Sequence, residues 1–183
     1  MSGRRARCAH GVAVHLSQKL NVAVRWRSPV AGAIRVEGNI VRAHAECGSG
    51  VTWSLELRRG GTRQPLASGE ARGAKAVALG PFERVPVQPG GLISVMIGPR
   101  EGNHSCALTD VDLRLTGGGQ AWSLGADVSG NVLAANPHAD RNGNDGVWHF
   151  YTEPVGGARN ETVIPAASWL AGKRPGSPKS DGR

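Results

Sequence analysis

LNVAVRWRSP, residues 20 to 29, changes character at every second position: Leu20, Val22, Val24 and Trp26 share one face, and Asn21, Arg25 and Arg27 the other. A period of two belongs to an extended chain and predicts a half-buried strand that stops at Ser28-Pro29. After that turn, AIRVEGNIV directs Ile34 and Val36 inward and Arg35 and Glu37 outward, and Gly38 offers a bulge before Ile40 resumes the run. The alternation returns in VTWSLELRR (Val51, Trp53, Leu55, Leu57), which Arg58-Arg59-Gly60-Gly61 closes as a hairpin. It returns again in LISVMIG (Ile93, Val95, Ile97) and TDVDLRLT (Val111, Leu113, Leu115). Turn-forming connections, QPGG at 88–91 and TGGGQ at 116–120, separate these runs, and no 3.6-residue apolar period competes with them apart from one helical turn near Ala166 to Leu170. Short strands at roughly ten-residue spacing predict an all-β chain folded as an antiparallel β-sandwich or jelly roll.

The chain's 183 residues suit one domain with a single apolar core. With 27 glycines, 11 prolines and only 4% aromatics, its apolar content lies in Val, Leu, Ile and Ala between frequent breakers, which again favours strands. The alternation divides the chain into an N-terminal extension (1–18), a β-sandwich domain (19–154) and a flexible C-terminal tail or linker (155–183), where GKRPGSPKSDGR has too little apolar surface to order itself. Most of the formal charge of +8 sits at the two ends, leaving the middle close to balance. That is a poor footprint for a nucleic-acid groove, and no apolar run is long enough to span a bilayer. The start, MSGRRARCAHGVAVHL, imitates a signal peptide, but His10 and His15 interrupt its apolar run; the alternative is a piece of a longer polypeptide.

Three cysteines allow one disulfide and a remainder. Cys47 sits just before a strand and Cys106 just after one, so a sandwich can bring these strand ends together in a disulfide, which implies an oxidising compartment; the alternative is two buried thiols. His44, Cys47, His104 and Cys106 make a Cys2His2 set on paper, at spacings unlike those of structural zinc sites. His104, Ser105 and Asp110 contain the residue types of a hydrolytic triad within one loop and strand, without a nucleophile elbow; a turn built by Asn103 and Ser105 is the plainer reading. Asn103-His104-Ser105 and Asn160-Glu161-Thr162 match the glycosylation acceptor pattern.

The most polar stretch is NPHADRNGNDGVWHFYTEP, residues 136 to 154. Asp140, Asn142, Asn144 and Asp145 supply oxygens of the kind calcium takes, yet the register is not that of an EF-hand: Asp145 holds the sixth position where glycine is needed, and Tyr151 stands at the twelfth. Calcium is therefore the lesser reading of the loop. Extended, the following residues divide by parity, Trp148 and Phe150 to one face and His149 and Tyr151 to the other, so that one pair is core and the other can flank the polar loop.

Several motifs together resemble a known family. V-x-W-R-S-P-x-x-G-x-I-R-V-x-G, G-V-T-W-S-L-E-L-R-R-G, L-A-S-G, N-H-S-C and N-P-H-x-D-x-x-G-N-x-G-V-W-H-F-Y, in this order over about residues 20 to 154, are similar to the β-sandwich segment of planctomycete cytochrome-c-domain proteins. The resemblance implies a galactose-binding-like or carbohydrate-binding-like jelly roll in a larger exported protein, with a periplasmic or extracellular location and neighbouring domains as partners. It supplies no catalytic residue. Two departures stand out: no C-x-x-C-H haem attachment motif is present, and Ala107 follows the NHSC cysteine where the family commonly has an acid.

The resulting expectation is a noncatalytic module that holds a polysaccharide, without a cofactor. Trp148, His149 and Tyr151 would form the aromatic platform, and Asn142, Asn144, Asp145 and His104 the polar contacts. The alternative is a structural or interaction sandwich with no glycan ligand; an enzyme ranks third, because no base and nucleophile converge.

Overall fold

The computed structural model describes residues 11–128 and 134–156 and the backbone of the strand Thr162–Val163. Eleven strands and one short helix follow in the order β1 (Val12–Val14), β2 (Leu20–Arg27), β3 (Gly32–Arg42), β4 (Val51–Arg59), β5 (Thr62–Ala71), β6 (Val77–Val87), β7 (Leu92–Pro99), β8 (Thr109–Gly117), β9 (Gln120–Ser123), α1 (Leu124–Val128), β10 (Trp148–Pro154) and β11 (Thr162–Val163). One sheet runs β1-β8-β3-β6, with β9 also on β8; the other runs β11-β10-β2-β7-β4-β5. Every pairing is antiparallel. The apolar faces of both sheets meet in one cluster that includes Val24, Trp26, Ile34, Leu55, Ile97, Leu113, Trp122, Trp148 and Phe150. The chain is an all-β sandwich.

The five strands read from alternation lie where the pattern places them, and the irregularity expected at Gly38 is present as register shifts between Ile34 and Val36 and between Val36 and Gly38. Strands β5 and β6 escape the same reading because Pro65, Pro81 and Pro86 interrupt them. Both lie at sheet edges, where a residue without an N–H leaves no ladder bond broken.

The boundary at residue 19 needs correction. Val12–Val14 pairs with Thr109–Val111, and Val12, Val14 and Leu16 are buried, so the sandwich begins before the expected extension ends. Three residues are too few for a period-two pattern to show. At the other end, Thr162–Val163 adds a strand to β10 inside the stretch read as tail. Residues 1–10 with Cys8, the second glycosylation motif at Asn160 and the helical turn at 166–170 lie outside the described residues.

Arg25 is also misplaced by a one-sided view of β2. It is 1% exposed, and Ala23 on the same face is fully buried, so β2 is covered on both sides. The outer face of the six-stranded sheet carries a buried ionic network: the Glu153 carboxylate on β10 meets Arg25 on β2, Arg58 on β4 at 2.6 Å and Arg63 on β5 at 3.2 Å. Three strand spacings separate β10 from β4, about 14 Å in a flat sheet. The long Arg and Glu side chains lie along the outer face to bridge that gap, helped by the twist of the sheet.

Cys47 and Cys106 are joined by a disulfide across 59 residues of sequence. It ties the loop after β3 to the loop after β7. Gly48 is required beside it, since a Cβ there would lie 2.1 Å from the Ser105 carbonyl oxygen. Closing a loop of this length removes denatured-chain entropy worth at most about 4 kcal/mol. Reduction, or paired Cys47→Ser and Cys106→Ser substitution, is expected to lower the urea midpoint with an unchanged folded circular dichroism spectrum. The check is equilibrium unfolding with and without reductant.

Candidate functional site

The polar stretch before β10 folds into a closed turn because its own side chains bind it. Asp140 Oδ1 accepts the backbone N–H groups of Asn142 (2.9 Å) and Asn144 (2.8 Å). Its Oδ2 accepts the Asn144 amide (2.8 Å) and the Trp122 indole N–H (2.7 Å). Burial alone pushes this carboxyl up, but the bonds from Asn144 and Trp122 outweigh it and hold Asp140 below its ordinary value. A second aspartate does parallel work: Asp127 on α1 accepts the Trp148 indole N–H at 2.8 Å and pairs with Arg141 at 2.7 Å. Asn136 completes the hairpin, exchanging two bonds with the backbone of Phe150 as a strand residue would.

This geometry leaves Asp140 no free oxygen for calcium. All four acceptor positions of Asp140 face N–H donors, and a cation there would have to displace the bonds that make the turn. Among the described residues no group of three or more His, Cys, Asp or Glu side chains is placed to hold a metal. The paper zinc set fails for a different reason: Cys47 and Cys106 are bonded to each other and offer no thiolate. Among the described residues no hydrogen bond joins His104, Ser105 and Asp110; Asn103 instead accepts the Ser105 N–H at 2.9 Å, as a turn-forming asparagine does.

The residues expected to form a sugar platform separate into three places. Trp148 is completely buried beside Phe150, so its ring cannot touch a ligand. His149 and Tyr151 lie on the outer face, half-buried, as parity requires, with rings stacked at 5.7 Å and 8°. His104 lies in the loop after β7, whereas the 140–146 turn enters at the opposite end of the same sheet, where Trp148 pairs with Trp26. Strand rise puts these ends roughly 20 Å apart, so His104 belongs to no site with Asn142, Asn144 and Asp145. Of those three, Asn144 is spent on Asp140, and Asn142 is exposed but donates to the Ala121 carbonyl at 3.2 Å. Asp145 is exposed and makes no side-chain bond among the described residues.

Two residues near the stack were not singled out from sequence. The Arg25 guanidinium lies 4.6 Å from the Tyr151 ring centroid, a cation held on an aromatic face. Arg27, exposed, follows it on β2; its backbone N–H binds the Val147 carbonyl, and it makes no ion pair among the described residues. Alternation assigned both to an outer face, but only the β2–β10 pairing reveals which aromatics they meet. His149 Nε2 faces the Gly146 carbonyl at 2.7 Å and must donate, so Nδ1 accepts from the Tyr151 hydroxyl at 2.8 Å. Burial, and secondarily the charges of Arg27 and Arg25, hold the His149 pKa below its ordinary 6.5.

No family model, curated protein or solved structure matches the chain.

Two measurements follow. Asp140→Ala strands the Trp122 indole and two turn amides, and should destabilise the fold by about 2–4 kcal/mol with a shifted tryptophan emission. Chemical denaturation followed by fluorescence reads both. For His149, the folded state resists a proton that the unfolded chain accepts near pH 6.5, so stability should fall as pH drops below that value. The part contributed by His149 should vanish in His149→Gln, and an NMR titration should place the His149 midpoint below 6.5. Asp140 adds a separate loss at lower pH, as acid protonates a carboxylate that the folded state prefers charged.

Proposed function

We propose that the chain is a noncatalytic carbohydrate-binding-like module, a jelly roll of the galactose-binding-like kind that serves a larger exported polypeptide like the planctomycete cytochrome-c-domain proteins its motifs resemble. The observation that carries this reading is the half-exposed His149–Tyr151 stack, with Arg27 near His149 and Asp145 in the turn that leads into β10, two exposed side chains without an ion-pair partner among the described residues. The Arg25 guanidinium already covers part of the Tyr151 ring, so the solvent-facing remainder of the stack would meet the C–H groups of a sugar, with Arg27 as a donor to its hydroxyls. The supporting turn is rigid, because Asp140, Asp127 and Asn136 hold it through buried bonds. The Cys47–Cys106 disulfide supports export to an oxidising compartment.

A structural or interaction module is the second reading, favoured by one specific observation: most polar groups of the 136–150 hairpin are engaged within the fold, Asn144 among them. Affinity electrophoresis in gels containing plant or algal polysaccharides separates the two. Retardation of the wild type that falls several-fold in Tyr151→Ala and Arg27→Ala is the expected result. Equal mobility of wild type and variants with every polysaccharide favours the interaction module and removes the glycan reading.

A further inference from the structure

The outer face of the five-stranded sheet holds a cleft of about 280 Å³, away from the His149 surface on the other sheet. Its origin is a mismatch between neighbouring strands. From the Val36–Phe82 pair to the Gly38–Leu79 pair, β3 advances two residues while β6 advances three, so the extra residue at Gly80-Pro81 bends the edge strand out of the ladder. On the other side β8 approaches closely: a Cβ at Gly38 would lie 2.2 Å from the Asp112 carbonyl oxygen. The result is a hollow whose floor is mostly backbone and whose walls are side chains.

Those walls carry a defined set of hydrogen-bonding groups. Asp112, 7% exposed, is held beside Arg114 at 3.4 Å. Glu37 takes one bond from Arg35 at 2.8 Å, which leaves its carboxylate further acceptor capacity. Asn39 offers both a donor and an acceptor, and its side chain makes no hydrogen bond among the described residues. Pro81 and Ala78 supply an apolar wall opposite. The lining carries two carboxylates, Glu37 and Asp112, against Arg114, and Arg35 is shared between Glu37 and Glu83, so the cleft has no surplus positive charge to favour an anionic ligand. The volume lies just under the range of pockets that hold drug-sized molecules and leaves room for one six-membered ring.

We propose that this cleft is a binding site for a small neutral polyol, with a single pyranose ring as the size that fits. Planar side chains set side by side, the Asp112–Arg114 pair and the Asn39 amide, can each engage two adjacent hydroxyls, and Pro81 and Ala78 can cover the C–H face. The site is independent of the His149–Tyr151 surface, and either can exist without the other.

The test is an amide NMR titration of the full chain with glucose, galactose and mannose, and with galacturonate as the charged counterpart. Concentrations up to roughly 50 mM saturate even a millimolar site. Expected are saturable shifts at Glu37, Gly38, Asn39, Gly80, Asp112 and Arg114 with at least one neutral sugar, weaker with galacturonate. Asn39→Ala should weaken binding roughly tenfold. Ala78→Phe, on the exposed rim, should abolish the shifts by filling the cleft while the rest of the spectrum keeps its dispersion. No shift at these amides with any neutral sugar overturns the proposal, as does tighter binding of galacturonate. Shifts confined to residues 145–151 overturn it too, and would assign sugar binding to the other sheet.

Discussion

Acceptors for two buried indole N–H groups, those of Trp122 and Trp148, organise the end of the sandwich at which the polar hairpin closes, whereas the buried Trp26 indole is left without a partner among the described residues. Trp122 from one sheet packs edge-on against Trp26 from the other, with ring centroids 4.9 Å apart, and its N–H finds Asp140. Because the aspartate also binds the turn that carries it, core packing and loop conformation are one cooperative unit. Asp127 and Trp148 repeat the arrangement from α1. A stretch rich in Asp, Asn and Gly, which by composition suggests a ligand loop, thus spends most of its polar groups on closing the fold.

The opposite surface of the six-stranded sheet poses another problem and meets it with charge. Arg25, Arg58 and Glu153 are almost fully buried, so their desolvation has to be offset by close pairing. Glu56 shows the balance: burial pushes its carboxyl up, but Arg63 and Arg58 more than compensate and hold it below its ordinary value. The network joins four strands, two of them not adjacent to β10, and so ties the sheet together across its outer face. Tyr151 shares this layer through Arg25, which links the aromatic surface to the same ionic group.

Much of the fold is legible in strand alternation, and the failures have identifiable causes. Strands β5 and β6 were hidden by Pro65, Pro81 and Pro86, residues that in this fold mark edge positions. The strand at Val12–Val14 is too short for periodicity to register. Arg25 looked solvent-facing because a local pattern contains no information about Glu153 and Tyr151, which the β10 pairing brings against it. At the candidate site, parity separated Trp148 and Phe150 from His149 and Tyr151, and the buried pair is Trp148 and Phe150. Grouping His104 with Asn142, Asn144 and Asp145 failed because residues near in composition sit at opposite ends of a sheet.

The amino-acid sequence by itself determined the all-β class, the positions of five main strands, the bulge near Gly38 and the division of the β10 aromatics into two pairs on opposite faces, but not which pair is core. These follow from local sterics and from the two-residue period of an extended chain. Tertiary structure alone decided that Asp140 is a clasp for Trp122, that Arg25 and Arg27 border the His149–Tyr151 stack, and that a mismatch between β3 and β6 opens a cleft beside Asp112. Each depends on residues brought together across tens of positions of sequence. A local pattern specifies which way a side chain points, whereas its partner is chosen only when strands pair and sheets pack.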